Sequence, residues 1–225
     1  MTAHVEFGYW SDPLCIWAFV AQEKLERVLA EFGEHLTVDY RVIPVFGSVP
    51  SRFASGPWRA DGVAGRVAAT RRIAADHGRG EVSGRCWERD CPASSWSAGA
   101  AIRSVFAVER AGLAEPGSGA LFQLRLRERF FVQEQNVSRR SVQLDLLEEL
   151  RIARAPVEEL LDDGRALALV WDDFSEKERL KLQGSPTFVF DGGRAMLYGN
   201  FSFGVLKSTV EELIRGAGAG GSACS

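Results

Sequence analysis

Strand-like alternation occurs in this chain only near its two ends, and that separation limits the folds open to it. Val5, Phe7 and Tyr9 alternate with His4, Glu6 and Gly8, and Leu36, Val38, Tyr40 and Val42 alternate through the stretch from Leu36 to Ile43. Far along the chain, Thr187 to Phe190 and Arg194 to Tyr198 flank Asp191-Gly192-Gly193, a strong hairpin signal. Most of what lies between carries helical periodicity instead. A single sheet must therefore be gathered from both ends of the chain, with the helical middle inserted between its halves.

The first strand stops at Ser11-Asp12-Pro13. Asp12 reads as an N-cap and Pro13 as the first helical residue. Leu14, Ala18, Ala21, Leu25, Val28, Leu29 and Phe32 then recur at helical spacing, with Gln22, Glu23, Glu26, Arg27 and Glu31 on the other side and Gly33 as a stop. Strand, helix and strand in this order suit a parallel pair with a right-handed crossover. Cys15 falls in the first turn, where unpaired N–H groups and the helix dipole favour a thiolate. A partly exposed, reactive thiol with a pKa below the usual value of about 8.5 is the expectation. The alternative is a buried cysteine acting as a small apolar residue.

From Pro44 to Pro57 the sequence is rich in Pro, Gly and Ser and predicts a loop. Helices are predicted near Arg59 to His77, Ser97 to Ala111, Ala120 to Gln133, Arg139 to Ile152 and Val157 to Leu182, the last interrupted around Gly164. The division is 1–56 for the first half of the sheet part, 57–170 for the helical insertion, 171–215 for the second half and 216–225 for a Gly, Ala and Ser tail holding Cys224. Leu206, Val210, Leu213 and Ile214 mark a closing helix. Arg125, Arg127, Arg129, Arg139 and Arg140 form a basic concentration that reads as a solvated face. Cys86 and Cys91 sit in a loop; on a helix, residues five apart point about 140° away from each other, so these thiols meet only in a non-helical turn. Three scattered histidines hardly complete a zinc site around them, and no metal is expected.

A net charge of -3 gives no electrostatic reason for a nucleic-acid or anionic-membrane partner. The strand starting at His4 leaves no room for a leader pattern, and no apolar run reaches membrane-spanning length, so the cytoplasm is the expected location. Four cysteines do not make a disulfide framework, and in a reducing compartment a reactive one is catalytic or redox-active.

Two motifs at opposite ends carry a family resemblance. Gly184-Ser185-Pro186-Thr187, directly before a strand, resembles the cis-proline loop of thioredoxin-like proteins, and the run from Asp12 to Phe19 resembles the active-site helix start of the DsbA family. It is similar in particular to the cytosolic FrnE-like branch and its relatives, the 2-hydroxychromene-2-carboxylate isomerases and kappa-class glutathione transferases. The resemblance spans His4 to about Arg215. It implies an α/β thioredoxin fold with a large all-helical insertion, Cys15 and Pro186 as catalytic residues, and Ser185, Thr187, Trp17, Asp12 and Asn200 as substrate-binding residues. A cis proline turns the Ser185 backbone outward, so that an extended substrate pairs with it beside the sulfur.

Dithiol members carry Cys-x-x-Cys, whereas here the run is Cys15-Ile16-Trp17-Ala18. The resolving thiol is thus left to a small thiol, to a partner, or to Cys86, Cys91 or Cys224. The segment from Met196 to Phe201 resembles the kappa-class stretch that holds glutathione, with Asn200 in place of its serine and Phe201 in place of its aspartate. The resemblance implies a thiol-disulfide oxidoreductase in monothiol mode, with no cofactor beyond a low-molecular-weight thiol co-substrate. Its partners would be small thiols or disulfides and protein thiols, with a homodimer as one assembly. A thiol-dependent isomerase or transferase on a small organic substrate is the alternative. A redox-inactive binding protein on the same scaffold is the third reading.

Overall fold

A computed structural model of the chain describes residues 4–218. Strand β1 (Val5–Ser11) leads through helix α1 (Ile16–Phe32) to β2 (Leu36–Val42). These strands are parallel, with Val5 opposite Leu36 and Ser11 opposite Val42. The late strands β3 (Thr187–Phe190) and β4 (Ala195–Tyr198) join the same sheet in the order β2-β1-β3-β4, both pairings antiparallel. Placing β3 beside β1 sets Thr187 opposite Trp10, so the Pro186 loop meets the end of β1 where Cys15 follows.

Alternation along the strands decides what each sheet face covers. Val5, Phe7, Tyr9, Phe188 and Phe190 face Leu25 and Val28 of α1 and Leu206, Val210 and Leu213 of α9 (Phe203–Gly218) in one buried layer. Trp10 and Val189 point the other way and join Ile43 and Leu182.

Between β2 and β3 lies a helical layer of α2 (Val49–Ala54), α3 (Gly62–Asp76), α4 (Trp96–Arg110), α5 (Ser118–Phe131), α6 (Arg140–Glu149), α7 (Arg154–Asp162) and α8 (Arg165–Arg179). Its core is continuous with the buried side of α1: Phe19 stacks on Phe131 at 5.1 Å between ring centroids. Asp173 of α8, fully buried, ties this bundle to the sheet through Arg103 of α4, Arg41 of β2 and the Val42 N–H.

Three sequence expectations are corrected. The Pro44–Pro57 stretch contains a helix, α2, because the Ser48 hydroxyl accepts from the Ser51 N–H and Pro50 lies in the first turn. The interruption expected around Gly164 is present as a full break between α7 and α8, at a φ of 86° that no helical residue adopts. Helix α9 continues to Gly218, past the tail expected from 216; Cys224 lies outside the described residues. Arg127 belongs to no solvated face: it is buried among Phe122, Leu126, Phe130 and Phe131.

Candidate active site

The turn from β1 into α1 is built around the Asp12 carboxylate. Oδ1 accepts from the Leu14 N–H at 2.7 Å, and Oδ2 accepts from the Phe46 N–H at 2.9 Å and the Ser95 hydroxyl at 2.7 Å. Those last two donors come from the insertion side and draw Asp12 fully out of solvent. Asp12 is therefore not the N-cap, nor is Pro13 the first helical residue. The helix starts at Ile16, and Cys15 itself is the N-cap, with φ -86° and ψ 113°. Burial pushes the Asp12 carboxyl up to about 6, opposed by the Ser95, Phe46 and Leu14 hydrogen bonds and by Arg127.

The Ser185–Pro186 peptide bond is cis. Ser185 reaches the cysteine turn through two atoms: its carbonyl accepts from Cys15 Sγ at 3.2 Å, and its hydroxyl accepts from the Asp12 N–H at 2.9 Å. On the far side, the Pro186 carbonyl accepts from the Gly199 N–H at 2.8 Å. Thr187 is buried, and its hydroxyl donates to the Gly184 carbonyl at 2.6 Å. Cys15, Ser185 and Pro186 thus come together, while Asp12 and Thr187 bond to the protein's own loops.

Cys15 was expected to be partly exposed and thiolate-prone, and the structure corrects both points. Its residue exposure is 5%, and burial pushes the thiol above its usual value, opposed first by hydrogen bonding from Ser185 and helped upward by Asp12. The physical reason is tertiary: Cys15 packs into the insertion core with Phe46 and Trp87, residues that nothing local to the helix start announces. Position at a helix N-terminus favours a thiolate only while water or cations reach it.

Trp17 stays 41% exposed, with its ring edge-on to His77 at 5.8 Å. Asn200 accepts from Lys24 Nζ at 2.5 Å and lies 3.2 Å from His77 Nε2. Trp17 and Lys24 of α1, His77 after α3 and Asn200 after β4 thus form one rim. Sequence reasoning missed Lys24 and His77; the seven-residue step from Trp17 to Lys24, which puts both on one helix face, was the available signal. It also missed Arg127, whose Nη2 donates to the Ser11 hydroxyl at 2.7 Å under the cysteine turn. Its recurrence with the apolar residues of α5 was the signal there.

Cys15, Cys86 and Cys91 are free. Burial pushes up both remaining thiols, Cys91 to about 11. Among the described residues, no group of three or more His, Cys, Asp or Glu side chains is arranged to hold a metal ion.

A cysteine at a helix N-cap, held against the carbonyl before a cis proline and covered by a helical insertion, defines the DsbA-type variant of the thioredoxin fold. Residues 91–211 match the model of the DSBA-like thioredoxin domain, and the chain belongs to that family. The matched segment includes the Pro186 loop and begins well after Cys15. A Nitrosomonas europaea protein designated a disulfide isomerase superposes with a TM-score of 0.75 at 15% identity, covering 97% of this chain and all of its own. The cytosolic disulfide reductase DsbM of Pseudomonas aeruginosa gives 0.65 at 20% identity, with 95% and 97% covered. A 2-hydroxychromene-2-carboxylate isomerase gives 0.66 at 17% identity, with 96% and 100% covered. No curated protein matches the chain in sequence. No described helix is long and apolar enough to cross a membrane.

Proposed function

We propose that the protein carries out thiol–disulfide exchange in monothiol mode through Cys15. Once its proton has left, the Cys15 sulfur attacks one sulfur of a disulfide; that S–S bond breaks, a mixed disulfide forms, and the other half departs as a thiolate that takes up a proton. A second small thiol then attacks the mixed disulfide and restores Cys15. The observation that carries this reading is the 3.2 Å contact between Cys15 Sγ and the Ser185 carbonyl before Pro186. That carbonyl and its neighbouring N–H are backbone groups to which an extended substrate can pair.

Release by a small thiol is supported by what surrounds the sulfur. Ala18 occupies the place of a second cysteine, and the raised thiols of Cys86 and Cys91 are weakly ionised at neutral pH. Among the structural neighbours, DsbM is named a cytosolic disulfide reductase and is also known in a form with GSH. A cytosolic setting agrees with three free thiols.

The test is exposure to a small disulfide followed by intact mass and peptide mapping. One adduct on Cys15, released by added thiol and missing from Cys15→Ser, is the expected result; adducts confined to other cysteines would overturn the reading. A thiol-dependent isomerase is the second reading, supported by the rim of Trp17, Lys24, His77 and Asn200 and by the isomerase neighbour. Asn200→Ala should then abolish turnover of a small organic substrate while leaving adduct formation on Cys15 intact.

A further inference from the structure

On the insertion side of Cys15, two arginines converge on one set of aromatic rings. Arg66 of α3 lies 4.4 Å from the ring centroid of Trp58 and 4.7 Å from that of Trp87. Arg52 of α2 lies 4.7 Å from Phe46 and 5.2 Å from the same Trp58, and its Nη2 donates to the Val45 carbonyl at 2.6 Å. Among the described residues, neither guanidinium has a carboxylate within salt-bridge distance, although most arginines of this chain do. The Arg66 Nε is buried without a hydrogen-bond partner, while the residue as a whole keeps partial exposure.

The place of this pair relative to the site is fixed by Phe46 and Trp87. Both belong to the buried cluster that contains Cys15, Trp58 packs on it, and the Phe46 N–H is held by Asp12. The ionisable groups that would favour the Arg66 cation are Cys15, Cys86 and Cys91, in that order, and all three are thiols whose raised pKa values leave them neutral near pH 7. Burial lowers Arg66 itself only to about 10, so it remains a cation. A guanidinium held over aromatic rings with no carboxylate partner keeps its N–H groups for an incoming carboxylate.

We infer that Arg66, backed by Arg52, is the anion subsite of the Cys15 site, and that the substrate is a low-molecular-weight thiol or disulfide bearing a carboxylate. This deepens the exchange reading and rests on it for the chemistry, since the carboxylate would dock on Arg66 while the substrate sulfur meets Cys15. Arg66 is then a specificity residue that touches substrate, not a member of the sulfur chemistry.

Three disulfides of similar size separate charge from shape: dithiodipropionate, bis(hydroxyethyl) disulfide and cystamine, which are anionic, neutral and cationic. The wild-type protein should form the Cys15 adduct with the anionic probe at least about tenfold faster than with the cationic one, a preference that falls as chloride is raised. In Arg66→Met the preference should vanish, the rate with the anionic probe falling to that with the neutral one. A preference unchanged in Arg66→Met, or absent from the wild type, would overturn the inference. Should Arg66→Met fail to fold, Arg66→Lys, which keeps the charge but loses the fork, serves in its place and should keep only part of the preference. A non-reactive arm separates this inference from the exchange reading: thiodipropionate, a thioether, titrated calorimetrically into Cys15→Ser. Binding that Arg66→Met abolishes supports the anion subsite even if Cys15 exchanges with nothing, and no binding overturns the subsite even if Cys15 exchanges freely.

Discussion

Asp12 and Cys15 are both acids held out of water, so pH acts on them in the same direction. For each, the folded pKa lies above the unfolded one, so the fold favours the protonated form. The associated stability is complete at low pH and is lost as pH rises through the folded value. For Asp12 the window runs from the ordinary 3.8 to about 6, and ionisation within it withdraws on the order of 3 kcal/mol. Asp12→Asn removes the titration but keeps one carbonyl acceptor for the turn. Urea midpoints taken from pH 4 to 7 should therefore fall in the wild type relative to the variant; parallel profiles would show that Asp12 is not held protonated. For Cys15 the window lies at alkaline pH, and iodoacetamide rates, corrected by Cys15→Ser, should reach their midpoint above the free-thiol value of about 8.5. A midpoint below it would restore the thiolate inferred from helix position alone. The identities of Cys15, Ser185 and Pro186 as a group were legible from two short motifs. Their burial was not, because Phe46, Trp87 and Ser95, which cover and bond this turn, lie far away in sequence.

At the scale of elements, periodicity read most of the helices correctly in place and number, since each long one turns a clear apolar stripe to a common core. It failed where a helix is short and polar, as in α2, whose start depends on a serine cap within a Pro- and Ser-rich run. Packing between elements was not legible at all, and glycine shows why. A Cβ on Gly119 of α5 would stand 2.3 Å from the Phe106 ring of α4, so these helices approach more closely than any alanine permits. Gly119→Ala should destabilise the protein by about 1–3 kcal/mol in urea unfolding, with no change in the rate of Cys15 adduct formation. A variant as stable as the parent would mean that Phe106 has room to move. The first turn of α1 offers the opposite experiment. Ala18 is fully buried three residues after Cys15, so Ala18→Cys places a second thiol on the same helix side. On oxidation the intact mass should fall by two hydrogens without any added adduct, and insulin reduction should exceed that of the parent. Equal activity in the parent would reveal another resolving cysteine, to be found by replacing Cys86, Cys91 and Cys224 singly.

Over the whole molecule, the sheet part and the helices are joined by the apolar core that α1 shares with them and by a charged tie at Asp173. Asp173 Oδ2 faces Arg103 Nε at 3.1 Å and accepts from the Val42 N–H at 2.9 Å, while Oδ1 accepts from Arg41 Nη1 at 3.1 Å. Arg103 also donates to the Tyr40 carbonyl at 2.7 Å, so α4, α8 and β2 share one buried polar knot. Burial pushes the Asp173 carboxyl up, and Arg103, the Val42 N–H and Arg41 pull it back. None of this was legible, since an Asp and two Arg in three distant segments carry no pattern that pairs them. The two arginines differ in what they lose without Asp173. Arg41 is 31% exposed and keeps Asp39 at 2.5 Å, whereas Arg103 is 4% exposed and keeps no carboxylate. Asp173→Asn should therefore cost about 3–5 kcal/mol, almost all of it from the stranded Arg103, and the sheet and bundle should still unfold in one transition. The control is the double replacement Arg103→Met with Asp173→Leu, which removes the stranded charge and should recover more than half of the loss. If Asp173→Asn costs under about 1 kcal/mol, or if the double variant is no better than the single one, the tie adds nothing to that join. Adduct formation at Cys15 should follow the same order, because Phe46 and Ser95, which bond Asp12, and Ser185, which bonds Cys15, sit on opposite sides of that join.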